Sequence, residues 1–304
     1  MDNKINSSRS LLHDEENKSS KNKDHSKRKI NILIAIITAL TLIIIVLLVV
    51  IIIFVKKRKV ADISTYSYAP NESKISPDHP VDGEITAAAK INGKFNHISS
   101  PYFITFDFYD KSPTNTIILL PHFKTYQQTS ECSCGVSAMI SILNYYNETN
   151  LNEDEMYKRM DVKCYNETRE DGSMGASTQS LVDEFHYRGY KTESSRDTSP
   201  PGEATFDNIE DFRNFAIKHL KAGHPIAMES IEFGGHWLVL IGYDDMGTES
   251  IEDDVLILMD SYDTNDHFQD GYIIRSCERW FYSWIDNGVL SKDDRTQNFV
   301  VGYR

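Results

Sequence analysis

Residues 30–55, INILIAIITALTLIIIVLLVVIIIFV, run for 26 positions without a charge. At about 1.5 Å per residue, a helix of that length outreaches the roughly 30 Å hydrocarbon core of a bilayer. In lipid a single segment can satisfy its own backbone only as a helix. The run therefore predicts one transmembrane helix with some tilt. A cleaved secretory signal has a shorter apolar region and a small-residue cleavage site, and this run has neither. The rest of the chain divides around it into a polar tail at 1–29, a stalk or lead-in at 56–100 and a body at 101–304. The tail is rich in Lys, Asn, Ser and Asp and has too few large apolar residues to form a core.

Charge near the span sets orientation only weakly. Within 20 residues the amino side carries Lys18, Lys21, Lys23, Lys27, Arg28 and Lys29, and the other side Lys56, Lys57, Arg58, Lys59 and Lys74. The small excess favours a cytoplasmic tail. Acceptor triplets for N-glycosylation at Asn71, Asn147 and Asn166 all follow the span and are usable only in a secretory lumen. The expectation is a single-pass, signal-anchored glycoprotein of type II arrangement, with the carboxyl body outside the cytoplasm and the bilayer as its partner through 30–55.

The whole chain carries a formal charge of −13. Residues 1–59 hold 12 of the basic and 5 of the acidic residues, leaving 20 and 40 beyond them, a balance of −20. Nucleic acid is excluded as a partner, because phosphate binding depends on a basic surplus.

In the body, YFITFDFYD and TIILL are β-rich and predict an early hairpin joined through KSPTN. From Cys134 apolar residues three and four apart predict a helix with one apolar stripe. Further helices are expected at 152–160 and 178–188, the latter stopped by Gly189. Another opens on a capping box of Asp207 and Glu210 and ends at Gly223. Then the period changes: PIAMESI, HWLVLIGYD, DVLILMD and GYIIR are short apolar runs between turns, an antiparallel sheet, and CERWFYSWID closes as a helix. The fold class is α+β, a helical half preceding a sheet half, with room for two lobes and a cleft between them.

Four cysteines stand at 132, 134, 164 and 277, in no spacing that makes a zinc cage with His residues. Cys134 lies where the loop TYQQTSECS turns into the helix, near unpaired N–H groups that favour thiolate. Gly135 lets backbone or substrate come close. His236 opens HWLVLIGYD and is placed to act as general base, with Asp260, which closes DVLILMD, accepting its other N–H. Gln128, six residues before Cys134, offers an amide for the oxyanion. Gly135, Gly235 and Trp237 are the substrate-binding candidates, and for Trp237 a place in the core or cleft wall is compatible with that role. Cys132 lacks a following Gly and reads as structural. The acidic loop with Asp263, Asp266 and Asp270 does not fit the EF-hand spacing, and no metal or cofactor is required.

Gln128, CGVSAMISILNYY, GGHWLVLIGYDD and LILMDSYDT, in this order, resemble the papain-like cysteine peptidases, most nearly the bacteriocin-leader-processing family thirty-nine and its stand-alone relatives. Phytochelatin synthase is a more distant likeness. The resemblance covers about residues 120–290 and implies a papain-like two-lobed fold, a nucleophile at Cys134, a base at His236, an orienting acid at Asp260 and an oxyanion donor at Gln128. This chain has Ser133 and Ser261 where many relatives have Asp and Pro, and neither change removes a reacting atom. The chain ends at Arg304 without a phosphate-binding glycine loop, so processing coupled to export is not expected. The resemblance implies hydrolysis of peptide or protein substrates. Acyl transfer of the phytochelatin-synthase type, or an inactive binding module at the membrane surface, are the alternatives.

Overall fold

The apolar runs of the carboxyl half pair into one sheet in the computed structural model, which describes residues 36–38, 40–47, 102–103, 106–165, 167–170, 172–200, 203–266, 268–284 and 297–304. Its strands are β1 (Ile117–Leu119), β2 (Lys191–Ser194), β3 (Ile226–Ser230), β4 (His236–Asp244), β5 (Val255–Asp260), β6 (Tyr272–Ser276) and β7 (Phe299–Tyr303). The helices of the body are α1 (Cys134–Tyr145), α2 (Glu153–Arg159), α3 (Thr178–Tyr187), α4 (Ser195–Thr198), α5 (Ile209–Lys221) and α6 (Cys277–Ser283).

The strand order is β2-β7-β3-β4-β5-β6, with β1 added to the far end of β4 and every pairing antiparallel. All nine residues of β4 are buried, and both α1 and α5 pack against it. A strand covered in this way needs a continuous apolar run, not an alternating one. The first ten residues of α1 are buried as well, so this helix is enclosed all round and not along a single stripe.

Several sequence expectations shift. Helix α5 is capped by Asn208, whose side chain accepts the N–H of Asp211, so the capping pair is Asn208 and Asp211, one residue along from Asp207 and Glu210. No early hairpin forms: the described residues of 102–110 hold only an isolated bridge at Phe106, and β1 pairs with β4 instead. Helices and strands interleave where a helical half was expected to precede a sheet half. Strand β2 is polar, as an edge strand is. Strand β7 comes from the carboxyl end of the chain and inserts between β2 and β3.

Residues 1–59 and 60–304 are separate compact units. Among the described residues no helix is long and apolar enough to cross a membrane. Of the run at 30–55, residues 36–38 and 40–47 are described, and they are helical with Ile, Leu and Val side chains 51–58% exposed. The remainder of that run, the tail at 1–29 and the stalk at 56–100 lie outside the described residues.

The insertion of β7 leaves little room beside Gly302, where a Cβ would stand 2.2 Å from the Phe185 ring of α3. Both groups are in the core, so neither can swing into solvent. Gly302→Ala is expected to destabilise the body by about 1–3 kcal/mol, read as a lowered midpoint in a thermal melt.

Candidate active site

The register of the sheet sets His236 beside a carboxylate. Leu238 of β4 faces Asp260 of β5, and His236 lies two residues along the same face, which makes the two residues diagonal neighbours across the strands. His236 Nε2 is 2.7 Å from Asp260 Oδ1, with both side chains buried. Burial alone would lower the pKa of the imidazole. The Asp260 charge and hydrogen bond, followed by a hydrogen bond and charge from Cys134, outweigh it and raise the ring to about 10. With Nε2 committed to Asp260, Nδ1 is the ring nitrogen left for another partner.

Burial would likewise raise the Asp260 carboxyl, but the His236 charge and hydrogen bond, the Tyr262 amide and the Arg275 charge hold it below its ordinary value. Both of its oxygens are engaged: Oδ1 also accepts the Tyr262 N–H at 2.8 Å, and Oδ2 accepts from Asn265 Nδ2 at 2.9 Å.

Cys134 starts α1, and the loop before it is tied to the end of β5 by consecutive glutamines. Gln127 Nε2 donates to the Asp260 carbonyl at 2.7 Å. The Gln128 N–H donates to the Ser261 carbonyl at 3.0 Å, and Ser261 Oγ donates to Gln128 Oε1 at 2.7 Å. Glu153, at the start of α2, steadies the other side of the loop. Its carboxylate accepts from Ser133 Oγ at 2.5 Å, the Thr129 N–H at 3.1 Å and Tyr126 Oη at 2.9 Å. A disulfide joins Cys132 to Cys164, while Cys134 and Cys277 are free and buried. Cys132 is thus structural, and a carboxylate from α2 meets Ser133, the residue just before Cys134.

Gln128 is buried near the site, and one of its Nε2 hydrogens is spent on the Ser130 carbonyl at 2.7 Å. Trp237 and Gly135 are both packed inside the body. Trp237 is 1% exposed and donates its ring N–H to the Ala176 carbonyl at 2.9 Å. A Cβ at Gly135 would stand 2.6 Å from Ala176 Cβ and 3.1 Å from Trp237 Cδ1, so this glycine permits the close packing of α1. Gly235 is half-buried in the turn before His236. There Phe233, Gly234 and Gly235 have φ of 56°, 82° and 135°, which the two glycines adopt freely and the phenylalanine does not. Phe233 is 71% exposed, and its ring stands edge-on to His236 with centroids 5.6 Å apart.

The carboxylates of the acidic loop accept backbone N–H groups: Asp263 from Asn265 and Gly271, Asp266 from Phe268, and Asp270 from Tyr272. Among the described residues no His, Cys, Asp or Glu group of three or more is arranged to hold a metal. A cavity of about 510 Å³ is lined by Asn265 and Arg275 with the rings of Tyr102, Phe103, Phe106 and Tyr272; Cys134, His236 and Asp260 do not line it. Sequence reasoning missed Gln127, Glu153, Asn265 and Arg275. They are polar residues on loops or element ends, where no periodicity marks them.

A model of the Peptidase_C39 like family matches residues 121–288, more than half of the chain. No curated protein matches the sequence. Among solved structures the chain resembles the peptidase domain of Streptococcus ComA, a bi-functional ABC transporter involved in a quorum sensing pathway. The identity is 14% and the TM-score 0.36, over 60% of this chain and 100% of that one. This likeness is too remote to bear on activity.

The shifted groups tie stability to pH. His236 titrates near 10 in the fold against 6.5 ordinarily, so its protonation stabilises the fold fully below pH 6.5, and the stabilisation is lost as pH rises towards 10. Asp263 and Asp270, raised well above 3.8 by burial, act in the same direction. The melting temperature is expected to fall between pH 6.5 and 10, and less steeply in His236→Gln, as followed by circular dichroism.

Proposed function

Because the chain belongs to the Peptidase_C39 like family, we propose that it is a membrane-anchored, papain-like cysteine peptidase that cleaves peptide or protein substrates through a thioester on Cys134. The supporting observation is His236, buried with the Asp260 carboxylate at 2.7 Å and held protonated by that charge and, to a lesser degree, by Cys134.

The chemistry runs on one proton. The proton that His236 Nδ1 holds in the resting site is the one Cys134 gives up, and the sulfur anion attacks the substrate carbonyl carbon while the imidazolium supplies its counter-charge. The carbonyl oxygen becomes an oxyanion, met by the remaining Gln128 Nε2 hydrogen and by first-turn amides of α1, which have no helical acceptors. Collapse breaks the C–N bond, and the imidazolium protonates the leaving amine. Water then gives its proton to the neutral imidazole and attacks the thioester, releasing the acid and restoring the thiol. Asp260 holds the ring in one orientation throughout and takes no proton.

A thiol-directed alkylating inhibitor applied to the full-length protein is expected to label Cys134, and the label is lost in Cys134→Ala. His236→Ala abolishes acylation, and Asp260→Asn leaves a folded but much slower protein. Gln128→Ala raises the barrier by roughly 2.7–4 kcal/mol. Absence of Cys134 labelling, with the fold intact, means a binding module and not an enzyme.

Three features support a type II anchor. The described part of the 30–55 run is a helix of exposed apolar side chains. The Cys132–Cys164 disulfide belongs to an oxidising compartment. Asn147, in an acceptor triplet, is exposed just after α1, whereas Asn71 and Asn166 lie outside the described residues. In sealed microsomes, residues 101–304 are expected to resist added protease, and a glycosidase should lower the apparent mass of the wild type by more than that of Asn147→Gln. Digestion of the body without detergent overturns this arrangement.

A further inference from the structure

The acid of the triad is itself held by a polar relay, and the relay returns to the loop that carries the histidine. Asn265 Nδ2 donates to Asp260 Oδ2 at 2.9 Å. The Asn265 carbonyl oxygen accepts from Arg275 Nη2, and the same nitrogen is 3.1 Å from Glu232 Oε1. Glu232 lies four residues before His236, in the turn with three successive left-handed residues. Partners on both sides settle which way the Asn265 amide faces: its NH₂ meets a carboxylate and its oxygen a guanidinium, and the reverse would set donor against donor.

The circuit is closed, running from His236 through Asp260, Asn265, Arg275 and Glu232, and back along the chain to His236. It fixes two things. The carboxylate is held by three donors, from His236, Tyr262 and Asn265, so it cannot turn away from the ring. The 232–235 turn is tied down by Arg275, which keeps Phe233 against His236 and at 5.4 Å from the Tyr262 ring, so that the imidazole is shielded on that side.

We infer that Asn265 and Arg275 are positioning residues for the triad, acting on His236 through Asp260 and on its aromatic cover through Glu232. The inference rests on the peptidase reading. Neither residue touches the reacting atoms. Their effect is to keep the carboxylate ionised and aimed, so that imidazolium is available to the sulfur over a wide range of pH. Without the Asn265 donor the carboxyl takes up a proton at higher pH, and the ring loses its counter-charge there.

The test follows alkylation of Cys134 by iodoacetamide against pH in the full-length protein, with the labelled peptides identified by mass spectrometry. Cys277 serves as an internal monitor of folding, because it is buried and its thiol is pushed up to about 11, chiefly by burial. In the wild type Cys134 is expected to label ahead of Cys277 at neutral pH. Asn265→Leu, which fills similar space without a donor, should move the acid limb of the Cys134 profile upward by about one pH unit while Cys277 stays protected. Arg275→Leu should do the same, and Arg275→Lys should return the profile most of the way to that of the wild type. Profiles of Asn265→Leu and Arg275→Leu that superimpose on the wild type overturn the relay. A shift accompanied by equal labelling of Cys277 also overturns it, since the residues are then merely structural. If the wild type itself labels no faster at Cys134 than at Cys277, the peptidase reading fails instead.

Discussion

A buried imidazole keeps its proton only if a carboxylate is buried with it, and the antiparallel pairing of β4 with β5 provides that carboxylate. Taking either charge out of water alone costs several kcal/mol. Here the pair meets at 2.7 Å, and Tyr262 and Asn265 donate to the carboxylate as well. The site therefore depends on sheet register. A slip of one residue between Leu238 and Asp260 would turn the acid to the opposite face and leave His236 with no counter-charge.

The sulfur comes from a different part of the chain, so the loop before it has to be attached to the sheet. Gln127 and Gln128 do this with three bonds to Asp260 and Ser261, where a loop of backbone groups would otherwise be buried without partners. Glu153 and the Cys132–Cys164 disulfide brace the same loop from the helical side. Gln128 thus has two duties, one in assembling the site and one proposed in the chemistry. Its neighbour Gln127 has only the first, which is why a reading of reactive residue types passes over it.

Legibility followed the kind of order each segment has. Strands β3 to β6 and helices α1, α2, α3 and α5 could be read because their apolar spacing or end signals are local. Strand β7 escaped because five residues at a chain terminus carry no turn signal, and β2 because an edge strand is polar. The early hairpin failed since β1 finds a better partner in the buried end of β4 than in its own neighbour. Trp237 and Gly135, next to His236 and Cys134 in sequence, face inward and pack near one another, which only the tertiary contacts show.

Residue chemistry and order alone marked out a thiol at the head of an apolar helix, a histidine opening a strand, an acid closing the next, and an acidic body beyond a charge-free run. These are properties of composition and short periods, which need no knowledge of distant contacts. Tertiary structure decided which cysteine is free and which is bonded, which side of the imidazole meets the acid, and that Asn265, Arg275 and Glu232 stand behind it. Such choices arise from contacts between residues far apart in the chain, formed only when folding brings polar groups out of water and obliges each of them to find a partner.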